Sequence, residues 1–223
     1  KLCERANQLF IGNQKKIAGS YNNTGIVYQN QGNYEMALQC LEKAYIIHEK
    51  LENKYGIANS SGNIGEVYKD QGNYEKALKS FNKSLKEFES IAINSENKIK
   101  VKRGIAECYM RIATIYKLQN LYKNAFLNFE KSITIAKKIN DKHQLALVYF
   151  YVAVLYEKQK NYEMALIYNK KSFLKFKEKG DELRASRCLT NIGFINNKLS
   201  KYNLAIKNST KAKKIYQDLN SIR

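Results

Sequence analysis

The sequence lacks two residue types entirely and is poor in a third. It contains no proline and no tryptophan, and only 11 of its 223 residues are glycine. Because proline and glycine mark the turns and edge strands of β and mixed folds, their scarcity argues against a loop-rich sandwich. Abundant Lys, Glu, Ala and Leu instead favour uninterrupted helices. The sequence therefore predicts an all-α chain that is long enough to bury a sizeable core.

Cysteine is also scarce, and its spacing does not fit a metal site. The four cysteines, Cys3, Cys40, Cys108 and Cys188, lie far apart and never form a Cys-x-x-Cys pair. This argues against a metal cluster and against a secreted disulfide framework. A reducing intracellular location, the cytoplasm, is expected, and an association with the cytoskeleton stays open.

Long apolar runs are missing as well. The most apolar uncharged stretch, His143 to Tyr156, has fourteen residues, whereas a membrane-spanning helix needs about 18 to 20. The chain begins at Lys1 without an initiator methionine or a signal-like segment. We therefore interpret it as a non-membrane piece of a longer protein.

Signals of catalysis are absent from the sequence. It has no Gly-rich phosphate loop, no nucleophile elbow and no His-Glu-x-x-His motif. The two histidines, His48 and His143, are too isolated to form a dyad or a metal site. We therefore expect a non-enzymatic protein with no cofactor and no metal.

One phrase returns at a fixed interval along the chain. Residues 31–38 read QGNYEMAL and residues 71–78 read QGNYEKAL, and weaker copies stay in register at 120–125, 160–165 and 200–205. Every copy keeps its tyrosine and its alanine. Helix-like segments precede each copy and amphipathic ones follow it, so each repeat is predicted to be a helical hairpin.

The turn inside each hairpin has its own residue pattern. Gly32 and Gly72 can adopt the left-handed conformation that ends a helix, and Asn33 and Asn73 can cap the next one. Later repeats have residues less suited to the glycine position: Asn120, Lys160 and Ser200. The sequence therefore predicts weaker turns toward the C-terminus.

Further motif residues recur in each hairpin. The first two repeats carry Tyr21, Thr24, Gly25, Tyr28, Ala37, Leu41 and Ser61, Ile64, Gly65, Tyr68, Ala77, Phe81. This pattern resembles the tetratricopeptide repeat, and the forty-residue spacing is similar to that of kinesin light chains and of cortical polarity adaptors with GoLoco motifs. The resemblance implies a right-handed alpha-alpha superhelical solenoid of tandem hairpins. The later repeats depart from the pattern at Asn169, Asn196 and Ser209.

The repeats divide the chain into six segments. These are the second helix of a truncated preceding repeat at 1–12, followed by repeats at 13–52, 53–100, 101–140, 141–180 and 181–223. About eight residues are inserted near Ile91 to Lys102, enough for one extra turn on each flanking helix. The insertion is either a tolerated loop or a functional protrusion.

The resemblance implies that ligand peptides bind in a groove lined by the first helices, with asparagines on the ligand backbone. The residue two before the small-residue position is Asn23, Asn63, Arg111, Tyr151 and Asn191 in the five repeats. Some members of the resembled family clamp a terminal carboxylate with two lysines, two asparagines and an arginine. Such a clamp is not expected here. Only Asn63 and Arg111 match its pattern, since Asn22, Ile26 and Glu107 stand at the other positions.

Repeat four has an apolar groove face. Leu147, Phe150, Tyr151 and Val154 stand at groove positions, and Arg111 and Arg187 come from the adjoining repeats. We expect this face to seat a peptide with a bulky anchor and nearby acidic residues. The alternative is that another segment of the full-length protein covers it.

Positive charge is concentrated in the C-terminal half. The chain carries 39 basic and 20 acidic residues, a net charge of +19, and most of the excess lies beyond residue 98. Many of these lysines are on second helices, which the resemblance places on the convex surface: Lys131, Lys137, Lys138, Lys170, Lys171, Lys175, Lys177, Lys207, Lys211, Lys213 and Lys214. They predict an acidic protein partner or assembly, although a compositional bias of the genome would give the same pattern. Nucleic acid is disfavoured because no exposed aromatics alternate with a Lys/Arg run.

Together these features predict a protein-interaction scaffold or adaptor that binds a peptide in the concave groove and has a basic convex face. Two alternatives stay open. One is a regulatory module of a larger signalling protein, such as a peptide sensor or a kinase- or cyclase-linked protein. The other is an architectural component of a cytoskeletal complex.

Overall fold

The computed structural model describes the backbone of residues 2–221 and the side chains of residues 10–219. Within these residues the chain forms ten helices and no strand, which confirms the all-α prediction. In chain order the helices are α1 (Leu2–Asn30), α2 (Tyr34–Lys50), α3 (Lys54–Asp70), α4 (Tyr74–Glu89), α5 (Lys98–Leu118), α6 (Tyr122–Lys138), α7 (Lys142–Lys158), α8 (Tyr162–Glu178), α9 (Glu182–Lys198) and α10 (Tyr202–Ser221).

The chain divides into two compact units, residues 1–115 and 116–223, and the division falls within the last turn of α5. In the N-terminal unit, α1 packs on α2, α2 on α3 and α3 on α4, and α1 also contacts α3. In the C-terminal unit, α6 packs on α7, α7 on α8, α8 on α9 and α9 on α10. Each unit is therefore built from consecutive antiparallel helices, as tandem hairpins require.

A residue in the left-handed conformation ends the first helix of each hairpin. Gly32 and Gly72 have φ values of 76° and 74°, as the sequence predicts. The residues at the same turn in later repeats, Asn120, Lys160 and Ser200, adopt it too, with φ between 58° and 61°. Packing of the two helices thus imposes the conformation even where the residue itself disfavours it.

Asparagine and aspartate cap the helices that follow these turns. The side chains of Asn33 and Asn73 accept hydrogen bonds from the backbone N–H of Met36 and Lys76, at 3.2 and 3.1 Å. The same bond is made at α3, α7, α8 and α9 by Asn53, Asp141, Asn161 and Asp181. By contrast, α6 has Leu121 at this position and no side-chain cap.

Small residues allow the helices of a hairpin to approach closely. A Cβ at Gly25 would lie 2.7 Å from Leu41, and one at Gly65 would lie 2.6 Å from Phe81. The repeated alanines, Ala37, Ala77, Ala125 and Ala165, are completely buried, whereas Ala205 of the last hairpin is half-buried. The hairpin motif is therefore a packing motif.

Two expected boundaries differ in the structure. Instead of a separate helix over 1–12, α1 runs without a break from Leu2 to Asn30. The insertion lengthens α5 to 21 residues but leaves α4 at 16, and the connection between them has eight residues, 90–97. Asn94 and Asn97 exchange reciprocal backbone-to-side-chain hydrogen bonds of 2.9 Å, which begin α5 early. The extent of each repeat stays a prediction.

Candidate functional site

A polar cavity of about 380 Å³ opens in the N-terminal unit, between α1, α3 and α5. Among its lining side chains are Asn22, Asn23, Asn59, Asn63, Glu107 and Arg111. The amide of Asn22 is bonded to Ser60 Oγ at 3.1 Å and accepts a long hydrogen bond of 3.5 Å from Asn63 Nδ2. Asn23 is exposed. The structure therefore brings the predicted Asn23, Asn63 and Arg111 to one cavity.

Two carboxylates hold the guanidinium of Arg111. Its Nη2 donates to Glu107 Oε1 at 2.6 Å, and its Nε lies 3.3 Å from Glu66 Oε1. Burial alone would lower the pKa of Arg111, but these two carboxylates more than offset it and raise the pKa above its ordinary value. A carboxylate of a ligand would have to compete with both internal partners.

The same cavity contains all five positions of the carboxylate-clamp comparison, namely Asn22, Ile26, Asn63, Glu107 and Arg111. Glu107 places a negative charge where a clamp needs a positive one. Its carboxylate also forms an ion pair with the guanidinium of Arg111. The cavity is thus suited to hydrogen bonding rather than to holding a free carboxylate.

The C-terminal unit has a smaller, more enclosed cavity of about 240 Å³ between α7, α8 and α9. Leu147, Phe150, Tyr151 and Phe176 form its apolar part, and Arg184 and Arg187 form its charged part. Three of the four predicted apolar residues and Arg187 are thus brought together. Val154 and Asn191, both half-buried, are not among the described residues that line it.

Aromatic contacts fix the ring of Tyr151. It stacks on the fully buried Phe129, with ring centroids 6.2 Å apart and planes within 7°, and meets Phe150 edge-on at 6.0 Å. The ammonium of Lys117 lies 5.0 Å from the centre of the Tyr151 ring. Because these neighbours restrict the ring, the apolar floor of the cavity is formed before any ligand binds.

The two arginines of this cavity differ in their pairing. Arg184 donates to Asp181 Oδ2 at 2.6 Å, whereas exposed Arg187 has no carboxylate partner among the described residues. Burial alone would raise the pKa of Asp181, but its bonds to Arg184 lower it. Arg184 was not among the residues predicted for this site. It lies three residues before Arg187, which on a helix places both on one face, and this spacing was the available signal.

The predicted lysine surface lies on α6, α8 and α10. All eleven lysines are exposed except half-buried Lys175. Lys175 is paired with Glu178 at 2.8 Å and Lys177 with Glu182 at 2.6 Å. The ammonium of Lys171 lies over the ring of Tyr168 at 4.9 Å. The other lysines give these helices a strongly positive outer side.

Cysteine and histidine form no reactive cluster in the part of the chain that the structure describes. Cys40, Cys108 and Cys188 are free thiols in the core, and Cys3 lies outside the described side chains. Burial raises the pKa of Cys108 and of Cys188 to about 11. In residues 10–219, no group of three His, Cys, Asp or Glu side chains could hold a metal. None of the described helices has both the length and the apolar character needed to cross a bilayer.

Comparison with solved structures gives consistent folds at low sequence identity. BtubC (BKLC) from P. vanneervenii has a TM-score of 0.78 at 16% identity, over 97% of this chain and 87% of that one. A Rap protein complexed with Competence and Sporulation Factor has a TM-score of 0.72 at 18% identity, over 87% of this chain and 52% of that one. Kinesin light chain TPR-like repeats from Podosopora anserina give 0.68 at 13% identity, over 93% and 98%. No curated protein matches the chain in sequence.

Two family models match the sequence in different segments. The tetratricopeptide repeat model matches residues 16–90. The model of the soluble NSF attachment protein, SNAP, matches residues 100–222, which is more than half of the chain. The chain is therefore a tetratricopeptide-repeat protein, as its repeat pattern predicts, and by the longer match it belongs to the soluble NSF attachment protein family.

Proposed function

We propose that this chain is a non-enzymatic protein-interaction module whose C-terminal unit captures a peptide segment of a partner protein. The observation that carries the proposal is the juxtaposition of an apolar floor with a guanidinium that has no carboxylate partner within the described residues. Leu147, Phe150 and Tyr151 form the floor, and Arg187 stands at its edge. Such a site fits a bulky apolar side chain followed or preceded by an acidic residue.

The two parts of the cavity have different roles in binding. Burial of a large apolar side chain against Phe150 and Tyr151 contributes about 1.5 to 3 kcal/mol to the binding free energy. Arg187 then selects an acidic neighbour through a charge-assisted hydrogen bond. Arg184 is largely neutralised by its ion pair with Asp181, so Arg187 is the guanidinium that meets an acidic residue of the ligand.

In the N-terminal unit, the asparagines are proposed to bind the backbone of a peptide. Exposed Asn23 and half-buried Asn63 each offer an amide that donates and accepts. An extended peptide needs both kinds of bond for its backbone. In the C-terminal unit, Asn191 on α9 is proposed to play the same role, and Val154 on α7 to widen the apolar contact.

The exposed lysines of α6, α8 and α10 favour an acidic partner or assembly. Their field would speed encounter with such a partner and would weaken as salt rises, because the Debye length falls to about 8 Å at physiological ionic strength. The similar Rap protein is complexed with Competence and Sporulation Factor, and the SNAP name describes an attachment protein. Both agree with a role in binding rather than in chemistry, and both leave the partner of this chain to experiment.

A peptide-library screen against the purified 223-residue chain tests the proposal. We expect selected peptides to share a bulky apolar residue within a few positions of Asp or Glu. The Kd of a selected peptide, measured by fluorescence anisotropy, should rise about tenfold or more in Tyr151→Ala and in Arg187→Glu, a loss of about 1.4 kcal/mol or more. Lys16→Glu, at an exposed lysine of α1 outside both cavities and outside the lysine surface, is the charge-matched control.

Two results would reject the proposed cavity. One is a Kd that neither substitution changes. The other is strongly salt-dependent binding that responds to Lys207→Glu and to further lysine substitutions but not to Tyr151→Ala. The second result would favour the architectural alternative, in which the basic helices rather than the cavity form the interface.

A further inference from the structure

A second groove lies in the N-terminal unit, where α2 and α4 flank α3. Its volume is about 350 Å³, and it is lined by side chains of all three helices. Tyr45 and Tyr68 form two of its walls, Ser61 and Ser80 form its floor, and three lysines of α4 stand at its rim. None of these residues belongs to the two cavities described above.

Comparison with the C-terminal unit explains why this groove is open. The second and fourth repeats are related by a shift of 88 residues, which places Tyr149 and Tyr168 at the positions of Ser61 and Ser80. The rings of Tyr149 and Tyr168 are 5.9 Å apart, and Tyr168 stacks on Tyr156 at 5.5 Å. Tyrosine rings therefore occupy in one unit the volume that two serines leave vacant in the other.

The charge of the groove also differs between the units. Lys76, Lys79 and Lys83 share one face of α4, at positions i, i+3 and i+7. The equivalent residues of α8 are Met164, Ile167 and Lys171. Of the two equivalent places in the described second and fourth repeats, the N-terminal groove therefore combines a vacant ring-sized volume with three ammonium groups, and its C-terminal counterpart does not.

Aromatic contacts hold two of these lysines at the rim. Lys83 Nζ lies 4.4 Å from the centre of the Tyr45 ring and donates a hydrogen bond of 2.7 Å to Tyr45 Oη. Lys76 Nζ lies 5.4 Å from the centre of the Tyr68 ring. Glu42 supplies the single carboxylate among the described residues that line the groove, so the lining side chains carry a net charge of about +2.

A buried hydroxyl in the floor lacks a partner. Ser61 is 3% exposed, and its Oγ makes no hydrogen bond within the described part of the chain. Buried hydroxyls are normally satisfied, so this atom marks a place where a polar group of a ligand would be favoured.

We infer that this groove binds an aromatic ring that carries a phosphate group. The ring enters the volume that Tyr168 fills in the C-terminal unit, between the walls of Tyr45 and Tyr68, and the phosphate meets the ammonium groups of Lys76, Lys79 and Lys83. A phosphate monoester carries about −1.5 to −2 charges at pH 7, which matches the charge of the groove. A phosphotyrosyl side chain and a free aryl phosphate share this chemistry.

Calorimetric titration of the 223-residue chain with phenyl phosphate tests the inference. We expect saturable binding that is at least tenfold tighter than that of either inorganic phosphate or phenol, because each of these lacks one half of the ligand. Ser80→Tyr, which restores the ring found in the C-terminal unit, and Lys79→Ile, which copies Ile167, should each weaken binding at least tenfold. Lys171→Ile, at the position equivalent to Lys83, is the matched control and should leave binding unchanged.

Thermal unfolding shows whether each variant folds. Because Lys79 is exposed, Lys79→Ile does not require neighbouring side chains to repack, whereas Ser80→Tyr does. A phosphotyrosyl pentapeptide separates the two ligand sources: tighter binding than phenyl phosphate indicates a phosphorylated protein segment, and equal binding indicates a small aryl phosphate. The inference is overturned if phenyl phosphate binds no better than inorganic phosphate, or if Ser80→Tyr and Lys79→Ile both bind it as the unmodified chain does. Either result leaves the proposed peptide cavity of the C-terminal unit unaffected.

Discussion

The imidazole ring of His48 packs directly against the backbone of Gly56, so closely that a methyl group at residue 56 would overlap the ring. Gly104 of α5 is equivalent to Gly56 of α3 and lies forty-eight residues further along the chain. A Cβ at Gly104 would lie 2.5 Å from the ring of Phe88. Each of these pairs joins the second helix of one hairpin to the first helix of the next. The glycines therefore set the distance between successive hairpins.

Substitution of Gly56 by alanine should destabilise the protein. Because the ring of His48 is buried and confined, the added methyl group forces a shift that costs about 1 to 3 kcal/mol. Urea unfolding measures the change. Gly12→Ala is the control, since nothing lies within 4 Å of a Cβ there, and its better helix propensity should stabilise α1 by up to about 1 kcal/mol. Equal effects of both substitutions would contradict the packing role of Gly56.

The folded state should lose stability as the pH is lowered through the range where His48 titrates. Burial, with a smaller contribution from the charge of Lys15, lowers the pKa of His48 below its ordinary value of 6.5. The unfolded chain therefore binds the proton more readily than the folded one. Stability is fully present above pH 6.5 and declines as the pH falls from there through the lower pKa of the folded state.

The variant His48→Phe tests this titration. Phe88 and Phe176 occupy the equivalent positions of later repeats, so phenylalanine is compatible with the packing. We expect the difference in unfolding free energy between this variant and the unmodified chain to grow in favour of the variant from pH 7.5 to pH 5. A difference that does not depend on pH would show that His48 does not titrate in this range.

Replacement of Asn169 by leucine should stabilise the C-terminal unit. Asn169 is fully buried at the position held by Leu41, Phe81 and Phe129 in other repeats, and its Oδ1 lacks a hydrogen-bond partner within the described residues. An unsatisfied buried polar atom costs about 1 to 3 kcal/mol, so we expect a gain of that order in thermal or urea unfolding. The exposed control, Asn124→Leu on α6, should gain only a few tenths of a kcal/mol from helix propensity. A loss of stability in Asn169→Leu would mean that the site is too small for leucine.

Glycine at residue 160 should also be stabilising. Lys160 has φ of 59°, a left-handed conformation that costs an L-residue about 1 to 2 kcal/mol. Part of this gain is lost to the greater freedom of glycine in the unfolded chain, so Lys160→Gly should raise stability by about 1 kcal/mol. Lys158→Gly, two residues earlier and within α7, should lower it instead. Thermal unfolding of the pair distinguishes a conformational effect from loss of a lysine charge.

The helical fold was predictable because its signals are local. The recurrence of QGNY at residues 31 and 71, the alanines six residues later and the absence of proline depend on nothing beyond a few neighbouring residues. The caps of α2 and α4 followed for the same reason, since Asn33 and Asn73 bond to an N–H only three residues away. The length of α1 did not follow, because no local signal reveals that residues 1–12 continue into the next helix.

The candidate sites were predictable in part. Periodicity placed Leu147, Phe150, Tyr151 and Arg187 on neighbouring first helices, and these line one cavity. It could not reveal that Glu66, 45 residues away in sequence, shares Arg111 with Glu107. Nor could it reveal the groove beside Tyr45 and Tyr68, which exists because of two serines where another repeat has tyrosines.

The sequence by itself determined the all-α class, the hairpin repeat and the sign of the surface charge, because helix propensity, turn chemistry and ionisation are properties of short segments. Only the tertiary structure decided which charged side chains are already paired and which cavities are open. Those outcomes depend on how helices distant in sequence pack side by side. Packing pairs Arg111 with Glu66, and it leaves the buried hydroxyl of Ser61 without a hydrogen-bond partner among the described residues.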